Sequence, residues 1–155
     1  MSQANVIEAI VEIFEAEGLD CVELEEGVAV RTAMDSDDGG WTSTVEVASL
    51  SDELSACVAI STAFEPLTSP RATALELINA LNSQILTLGS FELGEENTLS
   101  MRTGLVFNTV SDVPVAMLEH VVFMNWAELE QNLGAFAKLD TGEGVEQILA
   151  GLLEG

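Results

Sequence analysis

Basic side chains are scarce in this sequence, and their scarcity excludes several classes of partner. Four lysine and arginine residues face 27 aspartate and glutamate residues, which gives a formal net charge of −23. The basic residues stand singly along the chain, as Arg31, Arg71, Arg102 and Lys138. Nucleic acids and anionic membrane surfaces are bound through clustered lysine and arginine, and both would repel this chain. We therefore expect no nucleic-acid partner and no membrane partner.

Cysteine and histidine are also rare, which argues against redox, metal and catalytic sites. Cys21 and Cys57 are the only cysteines, without a CxxC motif, and both lie in strand-like segments where buried inert thiols are usual. His120 is the only histidine, and the chain contains no nucleophile-elbow sequence. Glycine motifs for dinucleotides or phosphates are absent as well. The sequence predicts no catalytic residue, no cofactor and no metal site, and hence no enzyme.

Long hydrophobic runs are missing too. No apolar run approaches the ~20 residues that a membrane-spanning helix needs. The N-terminal segment MSQANVIEAIVEIFEAEG has glutamates within its apolar stretch and no basic region, unlike a signal peptide. We expect a cytoplasmic protein, with one domain over residues 1–155 that buries ~70% of the surface of the unfolded chain.

The excess of carboxylates has three explanations. In a saline habitat, salt screens the mutual repulsion of acidic groups, so that a chain tolerates many of them. A negative surface also keeps a protein soluble. The third explanation is functional, because an acidic surface attracts a basic partner segment. The sequence leaves all three open.

The loop that begins at Asp35 partly matches an EF-hand calcium loop. Four residues occupy its first, third, sixth and twelfth positions: Asp35, Asp37, Gly40 and Glu46. The fifth position is Gly39, which offers no side-chain ligand, and both flanks alternate like strands instead of forming helices. We therefore predict a hairpin turn and indifference to calcium.

Periodicity along the chain predicts helices and strands in a definite order. Apolar residues at helical spacing predict a first helix that ends before Gly18, and alternation through residues 21–64 predicts an antiparallel meander. Ser69 as N-cap and Pro70 as the first helical residue open a second helix. Two strands, a long helix toward Leu139 and a short amphipathic helix follow. The predicted class is α+β, an antiparallel sheet with helices packed on one face.

The second helix carries two apolar stripes. The first consists of Ala74, Leu77, Ile78, Leu81 and Ile85, and should face the sheet. The second consists of Leu75, Asn79, Asn82 and Leu86. The two asparagine amides can bond exposed loop backbone or pair across a helix–helix contact. Leucines left in water forgo ~1.5–3 kcal/mol each, so either this chain's own long helix or the same helix of a second copy should cover the second stripe. We hypothesise that the stripe is a homodimer interface.

The stretch Val121–Trp126, VVFMNW, is apolar almost without a break. Apolar residues all round a helix indicate burial on more than one side. Burial within the domain is one explanation. A groove for a partner is the other, since methionine and tryptophan suit adaptable interfaces.

The segments LINALN and LTLGSFEL, with the hairpin strand and long acidic helix that follow, resemble the YbjN-type family. Members of that family are described as proposed sensory transduction regulators and are related in fold to type III secretion chaperones. The first helix, GLDCVELEEGVAV and a three-strand meander fit as well, so the resemblance covers nearly the whole chain. It implies a chaperone-like α+β fold (α-βββ-α-ββ-α-α), no enzymatic activity, frequent dimerisation and protein partners.

These observations favour a non-enzymatic, cytoplasmic protein-binding module, chaperone-like or regulatory, that acts as a homodimer. The alternative is a sensor domain that responds to a small molecule or a metal. Its pocket would lie between the sheet and the long helix.

Overall fold

The computed structural model of the chain describes residues 3–35, 42–51, 56–86, 88–106 and 115–154. Within these ranges the elements are, in chain order, α1 (Gln3–Ala16), β1 (Cys21–Glu25), β2 (Ala29–Asp35), β3 (Thr42–Ser51), β4 (Ala56–Ala63), α2 (Arg71–Gln84), β5 (Ser90–Leu93), β6 (Leu99–Val106), α3 (Val115–Asp140) and α4 (Val145–Glu154). No helix in the described ranges has the length and apolar character needed to cross a membrane.

The predicted α+β class is confirmed, with one more strand than the formula allowed. Four strands, not three, separate α1 from α2, so the order is α-ββββ-α-ββ-α-α. The additional strand is β1, which pairs with β2 across a turn containing Gly27. Gly27 has φ of 68°, a left-handed conformation that glycine adopts without steric cost, and the turn can therefore be tight.

The six strands form one antiparallel sheet in the order β1-β2-β3-β4-β6-β5. Successive side chains of a strand point to opposite sides, and in β2 Val30 and Met34 are buried while Arg31 and Asp35 are exposed. We call the side of Val30 the helix face, because the helices pack against it, and the side of Arg31 the open face. Strand pairing places one row on the helix face: Thr32, Val45, Ser61 and Met101. It places another row on the open face: Arg31, Glu46, Ile60, Arg102 and Ser90.

The core has two parts, and α3 spans both. The first part lies under α1, and α3 contributes Leu118 and Val122 to it. The second part lies under α2 and α4, and it includes Leu129, Leu133 and Phe136 from the C-terminal half of α3. A helix of 26 residues is ~39 Å long at ~1.5 Å per residue, long enough to cover both. The helix that joins the two halves of the core is therefore α3.

The second helix starts differently from the prediction. Its sheet-facing stripe is confirmed, with four buried residues: Ala74, Leu77, Ile78 and Leu81. The helix begins at Arg71, however, with Pro70 in the capping position and no side-chain cap. The predicted cap is wrong, because the buried Ser69 Oγ has no hydrogen-bond partner. The Ser69 N–H instead donates to Asp140 Oδ1 (2.8 Å), which ties the start of α2 to the end of α3.

Candidate protein-binding surfaces

A buried asparagine fixes α3 on the helix face of the sheet. Asn125 is 1% exposed, and its Nδ2 lies 3.2 and 2.9 Å from the carbonyl oxygens of Ala59 and Met101. The same nitrogen lies 2.9 Å from Thr103 Oγ1, and Asn125 Oδ1 accepts a hydrogen bond from Ser61 Oγ at 2.6 Å. One amide thus joins α3 to β4 and β6, so the helix cannot rotate without leaving buried polar groups unpaired.

Asn125 was not among the functional or structural residues predicted from the sequence. A polar residue inside the apolar run VVFMNW was the available signal, because a buried amide requires partners. Its neighbour Trp126 is fixed in the same way, with the indole N–H donating to Ser43 Oγ at 2.8 Å. Phe123 and Trp126 pack against the core under α1, and Val122 faces the sheet. Burial within the domain therefore accounts for much of this run.

The outer side of α3 is a different environment. Two adjoining shallow hollows follow its N-terminal half. We call this region the α3 surface, and it is formed mainly by Ala116, Met117, His120, Val121 and Met124. The polar side chains that line the hollows are those of His120 and Glu119. The α3 surface is therefore apolar, rich in methionine and held in place from below by the Asn125 network.

The structure separates the four residues of the predicted interface stripe on α2. Asn82 donates from Nδ2 to the Phe91 carbonyl (3.1 Å) and accepts the Phe91 N–H at Oδ1 (2.7 Å). Its amide thus occupies the outer edge of β5, the terminal strand of the sheet. Leu86 packs against the second part of the core, whereas Leu75 (38%) and Asn79 are exposed. Backbone bonding, one of the two roles considered for the asparagines, describes Asn82, and the dimer interface stays a prediction.

The open face of the sheet carries much of the exposed apolar surface. Among the described residues, five of the ten exposed large hydrophobic side chains lie on it or at its ends: Val22, Leu24, Leu50, Phe64 and Val106. Val106 is 77% exposed and Phe64 is 73% exposed. Leu24, Leu50 and Val106 lie toward one end of the face, and Phe64 lies at the other.

The same face carries little net charge. Its basic residues are Arg31 and Arg102, half of those in the chain. Among its described strand residues, the acidic ones are Glu25, Asp35, Glu46 and Glu92. Two positive and four negative charges give these described residues of the open face a net charge of −2. Arg31 and Glu46 form an ion pair of 2.9 Å, while Arg102 forms none with any described residue.

A cavity of about 340 Å³ lies where β4 ends, beside the C-terminal half of α3. Ala63, Leu133 and Phe136 form its apolar wall, and the carboxylates of Glu65 and Asp140 lie at its polar side. The cavity lies between the sheet and the long helix, the region in which a small-molecule sensor would have its pocket.

The cysteines and the calcium-like loop complete the predicted sites. Burial raises the pKa of Cys57 to about 11, and burial with three neighbouring carboxylates also raises the pKa of Cys21. No group of three metal-ligating side chains occurs in the described part of the chain. The strands predicted around the calcium-like loop are confirmed, since β2 ends at Asp35 and β3 begins at Thr42. The residues between these strands, which include Asp37, Gly39 and Gly40, lie outside the described residues, so the predicted hairpin turn stays a prediction.

Similarity of this chain to known proteins was found among solved structures. No family model matches the chain, and no curated protein matches it. Among solved structures, it is similar to YbjN from E. coli, called "a putative transcription regulator", at 14% identity and a TM-score of 0.45. The match covers 86% of this chain and 97% of that one. A similarity at this level assigns neither a family nor a function to this chain.

Proposed function

We propose that this chain is a non-enzymatic, cytoplasmic protein-binding domain, chaperone-like or regulatory, that works as a homodimer. The observation that carries the proposal is the α3 surface, an exposed apolar strip on a helix that a buried amide holds in place. Nucleic acid is not the partner proposed, because the chain carries −23 charges.

The chemistry of the α3 surface suits a protein partner. Met117, Val121 and Met124 are spaced at i, i+4 and i+7, which aligns them along one side of the helix. An apolar strip of this kind accepts the apolar side of another helix, and methionine adapts to partners of different shape. Because Asn125 fixes the opposite side of α3, binding would require little rearrangement of the helix.

A non-enzymatic role rests on the chemistry of the titratable groups. A thiol whose pKa is raised to about 11, as for Cys57, is protonated at neutral pH and is a poor nucleophile. His120 lies exposed on the α3 surface, where an imidazole can contribute to a partner contact.

Affinity capture from cell extract tests the proposal. The wild type should retain a stoichiometric protein partner, and the double variant Met117→Asp/Val121→Asp should lose it, because two carboxylates would be buried in the contact. The matched control is Leu153→Asp on α4, where the leucine is 62% exposed and does not line the α3 surface. Circular dichroism establishes that all three proteins are folded. Equal capture by the double variant, or no partner for the wild type, contradicts the proposal.

The second candidate function is the small-molecule sensor, which the cavity beside Phe136 favours. A thermal-shift screen of metabolites tests it. A sensor should respond to one compound or one class, and Ala137→Leu should abolish that shift because the larger side chain fills the cavity that Ala137 lines. A response unchanged in this variant would place the ligand elsewhere.

A further inference from the structure

We propose that the open face of the sheet is the surface through which two copies of this chain associate. The inference rests on the homodimer of the proposed function and gives it an interface. The partner-binding α3 surface belongs to the other side of the sheet, so the two contacts would not compete.

Charge is the first reason. Two copies of a chain with a net charge of −23 repel each other unless they meet where that charge is absent. The described strand residues of the open face carry −2, so two copies that meet there bring together little of the net charge of the chain. A basic partner would find most of its complementary charge elsewhere on the molecule. A second copy brings the same nearly neutral surface.

Shape and apolar area are the second reason. Two rows of paired residues at one end of the open face are mostly small and apolar. One row has Glu25 at its outer edge and continues through Ala29, Ala48, Val58 and Gly104, and the next pairs Ala56 with Val106. Ala56 and Val58 form a buried floor, and Leu24, Leu50 and Val106 project beside it into solvent. Small residues in the floor let another sheet approach to the ~10 Å spacing of packed sheets.

The size of the face is compatible with a stable dimer. Six strands at ~4.8 Å spacing span ~24 Å, and seven residues of strand span roughly 24 Å, which gives a projected area of roughly 600 Å². Standard interfaces bury ~800 Å² of accessible surface per partner, and accessible area exceeds projected area because side chains protrude.

Arg102 supplies the electrostatic part of the contact. Its guanidinium is exposed and makes no ion pair within the described part of the chain. A two-fold contact presents one patch to itself, so each Arg102 that meets a carboxylate of the second copy, such as Glu92, is matched by an equivalent pair. The second stripe of α2 is a weaker candidate for the dimer interface, because Asn82 and Leu86 already have partners within their own chain.

Sedimentation equilibrium and light scattering on the purified chain, without added partner, test the inference. We expect a dimer that strengthens with added salt, as residual repulsion is screened. Arg102→Glu should raise the dimer Kd by about tenfold or more, whereas Lys138→Glu changes the net charge equally, off the face, and should change Kd little. Val106→Asp should weaken the dimer in the same way, with Leu153→Asp as its matched control.

The outcomes separate the possible interfaces. A wild type that stays monomeric at high concentration overturns the inference, and so does a dimer broken by Leu75→Asp but not by Val106→Asp. Equal weakening by Arg102→Glu and Lys138→Glu would also overturn it, since net charge alone would then be responsible. The double variant Met117→Asp/Val121→Asp should dimerise normally, so failure of this inference is distinct from failure of partner capture.

Discussion

The two faces of the sheet satisfy their polar groups in different ways. On the helix face, Ser61 and Thr103 lie in a closed cluster around Asn125, which positions α3. On the open face, Thr62 and Ser100 bond only to each other among the described side chains (2.9 Å), and Arg102 has no ion-pair partner there. The polar groups of the helix face are thus used in packing α3 onto the sheet, whereas those of the open face are available for association with a partner.

The largest expected loss of stability comes from removing the hydrogen bonds of Asn125 on the helix face. Asn125→Ala would leave two carbonyl groups and two hydroxyl groups without their buried partner, at about 1–3 kcal/mol for each group that water cannot reach. We expect a loss of about 3 kcal/mol or more in the free energy of unfolding, measured by chemical denaturation. Asn79→Ala, at an exposed asparagine of α2, should change stability by less than about 0.5 kcal/mol. Similar denaturation midpoints for both variants would contradict this role of the network.

Substitution of Gly89 and of Gly104 by alanine compares how closely atoms are packed on the two faces. At Gly89 an added Cβ would lie 2.6 Å from Met101 Sδ, 2.7 Å from Glu128 Oε2 and 2.9 Å from Thr103 Oγ1. Gly89→Ala should therefore cost about 1–3 kcal/mol by overpacking. Gly104→Ala lies on the open face, where nothing is within 4 Å of the added carbon, and should be neutral or slightly stabilising. Thermal melts of the two variants make the comparison, and a tolerated Gly89→Ala would show that this contact yields easily.

A smaller loss of stability is expected at β5, the terminal strand of the sheet. Asn82→Ala removes both side-chain hydrogen bonds to the Phe91 backbone, a loss of about 1–2 kcal/mol. Hydrogen exchange should accelerate at the Phe91 amide more than at amides paired within β3 and β4. If exchange at Phe91 is unchanged, Asn82 does not protect the edge in solution.

Salt tests the distribution of charge over the whole molecule. Added sodium chloride should raise the melting temperature, because it screens repulsion among the carboxylates that give the chain its net charge of −23. We expect a gain of about 1 kcal/mol between low and molar salt, consistent with the small energies of exposed charges. A flat melting temperature would mean that the carboxylates are spaced or paired well enough to repel little.

The smallest effect concerns a half-buried carboxyl beside the helix face. Burial raises the pKa of Glu128, and the backbone N–H of Gly89 acts weakly in the opposite direction. An acid with a raised folded-state pKa contributes stability below the ordinary value of 4.5, and that contribution is lost as pH rises through the folded pKa. Glu128→Gln should therefore melt slightly above the wild type at neutral pH, and the advantage should vanish in acid. An advantage that is the same at both pH values would exclude this cause.

Local patterns in the sequence were enough to predict most elements of the fold. Helical spacing in α1 and α2 and alternation in β3 and β4 predicted those elements, and the stripe through Leu77 and Leu81 predicted the buried side of α2. The separate strand β1 and the start of α2 were predicted less well. The limits of β1 depend on how it pairs with β2, and the start of α2 depends on a bond from Ser69 to Asp140, which lies 71 residues further along the chain.

The features of the candidate surfaces also depend partly on local sequence and partly on tertiary contacts. The sequence alone determined the net charge, the apolar character of the Val121–Trp126 stretch and the presence of asparagines on α2. Only the tertiary structure decided that Asn82 bonds to β5, that Asn125 joins β4 to β6, and that half of the basic residues share the open face. The reason is physical: helix and strand preferences arise between near neighbours, whereas Asn125 lies 66 residues from Ala59 and Trp126 lies 83 from Ser43. Contacts at such separations exist only once strand register and helix packing have brought the partners together.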